Sequence, residues 1–248
     1  MTTLSVTDRF DEPAAVKTGA AMVCASGLGV RLGDRQILRD IELTIRPRTM
    51  LVLLGANGAG KSTLLGALAT LTPVTGKLEL FGQTVNRDAA ALRARIGMIG
   101  HQPMLYRDLT ARENLVFFGD LYGVAQPQAR AMQLLQRVGL ADRAEDAVKT
   151  FSRGMTQRVA IARALMHEPE LLLADEPFSG LDLASIDKLE ALLDELRHEG
   201  KAIIVAHHDI AHALRFADEV AVMRRGRMTM HKAAAQLDEQ ALRQEVLA

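Results

Sequence analysis

The chain has 248 residues, with Lys+Arg and Asp+Glu both at 30, so its formal net charge at pH 7 is zero; hydrophobic residues make up 48% and charged residues 24%. That is the composition of an ordinary soluble globular protein long enough for a well-buried core, and the even charge argues against a dedicated nucleic-acid binder, which carries a basic excess. The single cysteine, Cys24, rules out an intrachain disulfide and fits a reducing compartment, and no apolar run nears the roughly 18–20 residues that span a bilayer.

The first 20 residues hold Asp8, Arg9, Asp11, Glu12 and Lys17 and no apolar stretch, so they read as a flexible N-terminal extension and not as a secretory signal. A β region follows, in which Ile41, Leu43 and Ile45 alternate with Glu42 and Thr44 as in a half-exposed strand. Met50 to Leu54 is a short apolar run ending in glycine, the pattern of a buried parallel strand. A helix is predicted from Lys61 to Leu71, broken at Thr72-Pro73, and a strand from Lys77 to Phe81.

From about 109 to 143 the sequence is helical in period and reads as an all-helical lobe inserted into an α/β core. The core resumes with a helix from Thr156 to Met166, the strand Leu171 to Ala174, a helix from Ala184 to His198 and the strand Ala202 to Ala206. A helix from Ile210 to Phe216 and a hairpin turning at Arg225-Gly226 close it. Strands alternating with helices imply a mainly parallel sheet covered on both faces. One unit is expected over 21–248: an α/β core with a β subdomain over about 21–100 and 165–230, a helical subdomain over about 101–164, and a short tail over 231–248.

Gly55-Ala56-Asn57-Gly58-Ala59-Gly60-Lys61-Ser62-Thr63 fits the phosphate-cradle pattern G-x-x-x-x-G-K-S/T in full. The glycines let the backbone curl so that its N–H groups face phosphate oxygens, and the helix that follows adds its positive end. Lys61 places a point charge near the β and γ phosphates, and the Ser62 hydroxyl suits Mg²⁺. The flanking strand and helix are the context this chemistry needs. The apolar strand Leu171 to Ala174 ends in Asp175-Glu176-Pro177. Ligands of open α/β sheets bind at the carboxyl ends of strands, so Asp175 is expected to hold Mg²⁺, directly or through water, and Glu176 to act as general base on the attacking water.

These motifs, with the residues between them, resemble the ATP-binding subunit of ABC transporters over about residues 22 to 230. The most specific element is Phe151-Ser152-Arg153-Gly154-Met155-Thr156-Gln157-Arg158, which resembles that family's signature loop. Gln102 matches the family's Q-loop glutamine, Ser179-Gly180-Leu181-Asp182 its D-loop, and His208 its switch histidine. The resemblance implies a P-loop NTPase (RecA-like) α/β core with a mainly parallel sheet, an N-terminal antiparallel β subdomain and an inserted helical subdomain. It implies a Mg²⁺-dependent ATP hydrolase whose subunits pair head to tail, as homo- or heterodimer. ATP on the cradle of one copy meets Ser152, Arg153, Gly154, Met155 and Asp182 of its mate, while Gln102 and His208 contact γ-phosphate, metal or water. The implied partners are a second ATPase subunit and integral-membrane transporter subunits, with no nucleic acid, at the cytoplasmic face of the inner or plasma membrane.

Two departures stand out. The signature reads Phe-Ser-Arg-Gly-Met where Leu-Ser-Gly-Gly-Gln is commonest, with Ser152 and Gly154 kept. Leu32 falls where the family stacks an aromatic residue on adenine, and no Phe, Tyr or Trp occurs between Phe10 and Phe81. Ile99 to Pro103, Leu109 to Leu115 and the signature further resemble the haem-exporter ATPases of cytochrome c maturation, a pattern shared with other ABC-2-type exporters of drugs or lipid-linked compounds. A non-transport ABC ATPase is disfavoured by the single set of motifs and the absence of a long heptad run.

Overall fold

The structure is a computed structural model and describes residues 20–86 and 89–247; the expected extension over 1–20 lies, but for Ala20, outside the described residues. β1 (Val23–Leu32) and β2 (Arg35–Ile45) pair antiparallel, with register shifts between Ala25 and Arg31. β3 (Met50–Leu54) leads through the glycine loop into α1 (Lys61–Leu68), three residues shorter than predicted; Thr70 then turns the chain with φ 58. β4 (Thr75–Leu80), β5 (Gln83–Thr84), α2 (Ala90–Arg93) and β6 (Ile96–Ile99) follow.

The helical insertion comprises α3 (Ala111–Leu121), α4 (Pro127–Arg137) and α5 (Arg153–Ala164). Thr110 and Glu113 close a reciprocal capping box on α3: Glu113 N–H donates to Thr110 Oγ1 at 3.1 Å and Thr110 N–H to Glu113 Oε2 at 2.8 Å. α5 begins at Arg153, earlier than the predicted Thr156, because Ser152 caps it by accepting from Met155 N–H at 3.3 Å. β7 (Leu171–Asp175), α6 (Leu183–His198), β8 (Ala202–Ala206), α7 (Ile210–Phe216), the hairpin β9 (Glu219–Arg224) and β10 (Arg227–Ala233), and α8 (Glu239–Leu247) complete the chain. Asp182 and Asp209 cap α6 and α7 in the same way as Ser152 caps α5.

Two sheets result. The antiparallel one has order β2-β1-β4-β5, the larger one β10-β9-β3-β8-β7-β6 with every pair parallel except β10 with β9. β3, β7 and β8 are buried at every residue, as central parallel strands require. Alternation divides each between two cores. Met50, Val52 and Leu54 join the core shared with the helical lobe, while Leu51 and Leu53 face α1 and the antiparallel sheet. Each buried Leu or Val contributes about 1.5–3 kcal/mol. The consequence for function is positional: β3, β8 and β7 are adjacent, so the loops after their carboxyl ends meet.

Candidate active site

The three loops wall a cavity of about 840 Å³ lined by residues 55–63, Asp175, Glu176, Ser179 and His208, with Ile37, His101 and Val246 at its margins. The loop after β3 is held by its glycines. Gly55 has φ 149, and a Cβ there would lie 2.3 Å from Met223 O, so β9 runs too close for any side chain. Gly60 precedes α1 with φ 108, and no side chain caps that helix. The N–H groups of its first turn are therefore left for a ligand, and an anion suits them. Lys61 is buried; its Nζ donates to Gly55 O at 2.6 Å and lies 4.0 Å from Glu176 Oε1.

Asp175 is 8% exposed and, among the described residues, its carboxylate has no hydrogen-bond or ion-pair partner. A buried carboxylate facing a cavity shared with the exposed Ser62 hydroxyl is a donor set that fits a hard divalent cation such as Mg²⁺. Glu176 has a left-handed backbone, φ 51, a conformation disfavoured for a residue other than glycine and held by hydrogen bonds from Glu176 N–H to Ala206 O at 3.0 Å and from Ser179 N–H to Glu176 O at 3.1 Å. Its Oε2 lies 2.8 Å from His208 Nδ1 and 3.5 Å from His207 Nδ1. Burial raises the Glu176 carboxyl, but the hydrogen bonds and electrostatic effect of the His207 and His208 rings outweigh it and hold the group below its ordinary value. An ionised carboxylate next to the cradle is the state a general base needs.

The signature residues lie apart from this cavity. Ser152 and Arg153 are exposed at the start of α5, and Met155 is half-buried against the core. A Cβ on Gly154 would stand 2.8 Å from Ser185 Oγ, so that hydroxyl would have to rotate away. Asp182 is exposed and accepts from Ser185 N–H at 2.8 Å. Gln102 is exposed on the loop after β6 and does not line the cavity, although its neighbour His101 does. Leu32 is 51% exposed at the end of β1 and does not line it either, whereas Ile37 on β2 does. A second cavity of about 330 Å³ runs between the loop Gly100–Arg107 and residues 148–157, reaching Glu176 and Ser179. Three residues at the site belong to none of the expected motifs: Ile37, Val246 and His207. Of these only His207, doubled with His208 at a strand end, carries a local signal.

A sequence profile described as ABC transporter matches residues 38–179. The linearmycin resistance ATP-binding protein LnrL of Bacillus subtilis (strain 168) is 34% identical over 210 residues, 84% of this chain and 68% of that protein. The phosphonates import ATP-binding protein PhnC of Stutzerimonas stutzeri is 36% identical over 243 residues, 90% of this chain and 88% of that protein. Among solved structures, a dimer of the ATP-binding cassette MJ0796 in a post-hydrolysis state with ADP and Pi superposes with a TM-score of 0.77, 28% identity, and coverage of 86% of this chain and 99% of that one. With the profile, these identities and a cradle, carboxylates and histidine gathered at three strand ends, the chain belongs to the ABC transporter family as an ATP-binding, ATP-hydrolysing subunit.

Proposed function

We propose that this subunit works as one half of a head-to-tail ATPase pair that drives an exporter from the cytoplasmic face of a membrane. In this reading residues 55–63 hold the ATP phosphates, and Ser62 and Asp175 hold Mg²⁺, with Gln102 joining when nucleotide is bound. The metal, when present, supplies positive charge to the β and γ phosphates. Glu176 takes a proton from the attacking water, and His208, within hydrogen-bond reach of that carboxylate, orients it beside the γ-phosphate. Ser152, Arg153, Gly154, Met155 and Asp182 complete the site of the mate.

The observation that carries this reading is the separation of two half-sites on one chain. The cradle cavity is open, and the start of α5, capped by the exposed Ser152, lies outside it; Leu183, at the start of α6, is 80% exposed. No helix among the described residues is long and apolar enough to cross a membrane. Relatives named for resistance support export, while those named for phosphonate and sulfonate import argue for the opposite direction. Haem as cargo rests on motif resemblance alone; normal c-type cytochromes in a deletion strain would remove it.

The groove beside Leu105 and Tyr106 suits a short helix from the membrane partner. Leu105 packs half-buried against the core and Tyr106 is 52% exposed. The deciding experiment is Glu176→Gln. ATP binding should persist, hydrolysis should fall by roughly 10²–10⁴-fold, and the subunit should form a stable ATP-bound dimer by light scattering. A monomer with bound Mg-ATP, or full hydrolysis by the variant, overturns the reading.

A further inference from the structure

Two turns of this chain share one backbone conformation. Phe81-Gly82 joins β4 to β5 with φ 54 and 76, and Arg225-Gly226 joins β9 to β10 with φ 47 and 78. A two-residue hairpin loop with φ positive at both positions favours glycine as its second residue, so the turn alone accounts for either glycine. Their surroundings differ. Gly82 is exposed, and a Cβ there would meet no atom of the described residues within 4 Å. Gly226 is buried, and a Cβ there would lie 1.9 Å from Ile37 O and 3.5 Å from Leu38 Cα.

Gly226 stands between two walls of the nucleotide cavity. Its N–H donates to Ala59 O at 3.0 Å, and its carbonyl accepts from Arg39 N–H at 2.8 Å. A single residue thus spans from the phosphate cradle to β2. A Cβ on Gly60 would lie 2.7 Å from Leu38 Cδ2 and 3.6 Å from Gly226 Cα, so cradle, turn and strand leave no room for another carbon. The two walls are not equally firm. The cradle leaves β3, which pairs with β8 and β9 inside the large sheet, and the turn belongs to that sheet too. β2 is the outer strand of the other sheet and pairs, among the described strands, with β1 alone. Whatever widens the gap therefore moves β2, and with it Ile37, which lines the cavity beyond the cradle.

We infer that Gly226 is a positioning residue for ATP, setting the distance between the phosphate cradle and Ile37, the wall that meets the nucleoside end. The inference rests on the proposed role of residues 55–63 in holding the phosphates. A triphosphate anchored in the cradle fixes where its nucleoside lies. A wall at the wrong distance then loses contact with the nucleoside and leaves the γ-phosphate undisturbed. A Cβ at position 226 needs about 3.0 Å of clearance from Ile37 O, so β2 must retreat by about 1 Å. A gap of about 0.5–1 Å forfeits roughly a quarter to a half of a dispersion contact.

The test compares Gly226→Ala with Gly82→Ala in the full chain. Both replace the second residue of the same kind of turn and carry the same backbone strain, but only the first presses on β2. Gly226→Ala should raise KM for ATP about tenfold and leave kcat within about twofold of wild type, while Gly82→Ala keeps the wild-type KM. Inorganic tripolyphosphate, which has no nucleoside, should compete with ATP on the wild type and bind Gly226→Ala with unchanged Ki. A wild-type KM in folded Gly226→Ala, or an equal rise in Gly82→Ala, overturns the inference. So does a tripolyphosphate Ki that rises with KM, because the turn then supports the cradle alone. Should Gly226→Ala fail to fold, Arg39→Pro takes its place: it deletes the N–H donated to Gly226 O, on an edge strand, where proline is tolerated. It should raise KM about threefold with tripolyphosphate unaffected, and a wild-type KM there overturns the inference equally. Tripolyphosphate that fails to compete on the wild type removes the phosphate-holding role of residues 55–63 itself, and the inference with it.

Discussion

The guanidinium of Arg153 fills the space that a side chain on Gly180 would need: an ideal Cβ there lies 2.6 Å from Arg153 Cζ and Nη1. Arg153 Nη2 also lies 3.5 Å from Ser179 Oγ. The arginine that replaces the family's commoner glycine thus joins the start of α5 to the loop before α6, the two elements expected at the dimer seam. Gly180→Ala carries two costs, its left-handed backbone at φ 70 and the displaced guanidinium. The backbone cost, about 1 kcal/mol, remains when Arg153 is replaced by Ala, whereas the contact cost does not. A double-mutant cycle by urea unfolding should give a coupling of about 0.5 kcal/mol, at the low end for touching residues because a guanidinium can swing aside. Strict additivity would show that the contact carries no energy.

Asn114 is fully buried on α3 and saturated. Its Oδ1 accepts from Tyr106 N–H at 2.8 Å, and its Nδ2 donates to Tyr106 O and Thr110 O, each at 2.9 Å. It therefore staples the loop after β6, which carries Gln102 and Leu105, to the helical lobe. Asn114→Leu keeps the volume and orphans the Tyr106 N–H, while Tyr106 O keeps the Leu109 N–H at 3.3 Å, at a cost of about 1–2 kcal/mol. Hydrogen exchange should show faster exchange confined to residues around 104–109, with β3 and β7 protected as before. Uniform loss of protection would mean that Asn114 supports the whole lobe and not the loop.

How much of this is legible in sequence depends on whether the cause is local. Met50–Leu54, Leu171–Asp175 and Ala202–Ala206 are buried on both faces, so each reads as an unbroken apolar run. The cradle reads in full because one loop holds all its parts. β2 shows only its last five residues as alternation: Asp40, with φ 51, and the register shifts opposite it break the period upstream. The first turn of α5 is hidden because Gly154 and Thr156 form helix poorly and Ser152 sets the start through a hydrogen bond. Ile37 and Val246 reach the cavity from a sheet edge and a C-terminal helix, a closeness set by strand order and not by any nearby residue. His207 is readable as a doubled histidine, but His212, whose Nδ1 lies 2.8 Å from its Nε2, stands on α7.

His167 supplies a pH test. Its Nε2 bonds to Ile96 O at 3.0 Å, its Nδ1 is buried without a partner, and its ring stacks on Tyr122 at 4.0 Å. Burial holds the ring below its ordinary value of 6.5, more than the bond to Ile96 raises it. The unfolded chain therefore binds a proton before the folded one does. The neutral ring's contribution is complete above about 6.5 and is lost as pH falls below it. The urea midpoint should be flat from about pH 8 to 7 and drop towards pH 5. His167→Phe keeps the stack, loses about 1 kcal/mol with the hydrogen bond, and should show a shallower acid limb. Some slope remains because His212 is shifted in the same direction. An acid limb as steep as that of the wild type would clear His167 of any part in it.

Among the described residues the nucleotide cavity is lined by no Phe, Tyr or Trp, and Ile37 and Val246 are its branched apolar residues. Without a stacked ring the base forfeits about 1 kcal/mol of specific contact, and a flat apolar wall distinguishes adenine poorly from guanine. GTP should therefore displace a fluorescent ATP analogue within about tenfold of ATP itself; a GTP affinity a hundredfold weaker rules this out. The position of the base is tested by supplying the missing ring. Ile37→Tyr should tighten ATP by about fivefold, the equivalent of 1 kcal/mol, and should raise the preference over GTP. Leu32→Tyr, at a residue 51% exposed and outside the cavity lining, should change neither. The reverse result would place the base against the β1–β2 turn, where the resemblance to the family puts it, and would mean that nucleotide draws that turn inward.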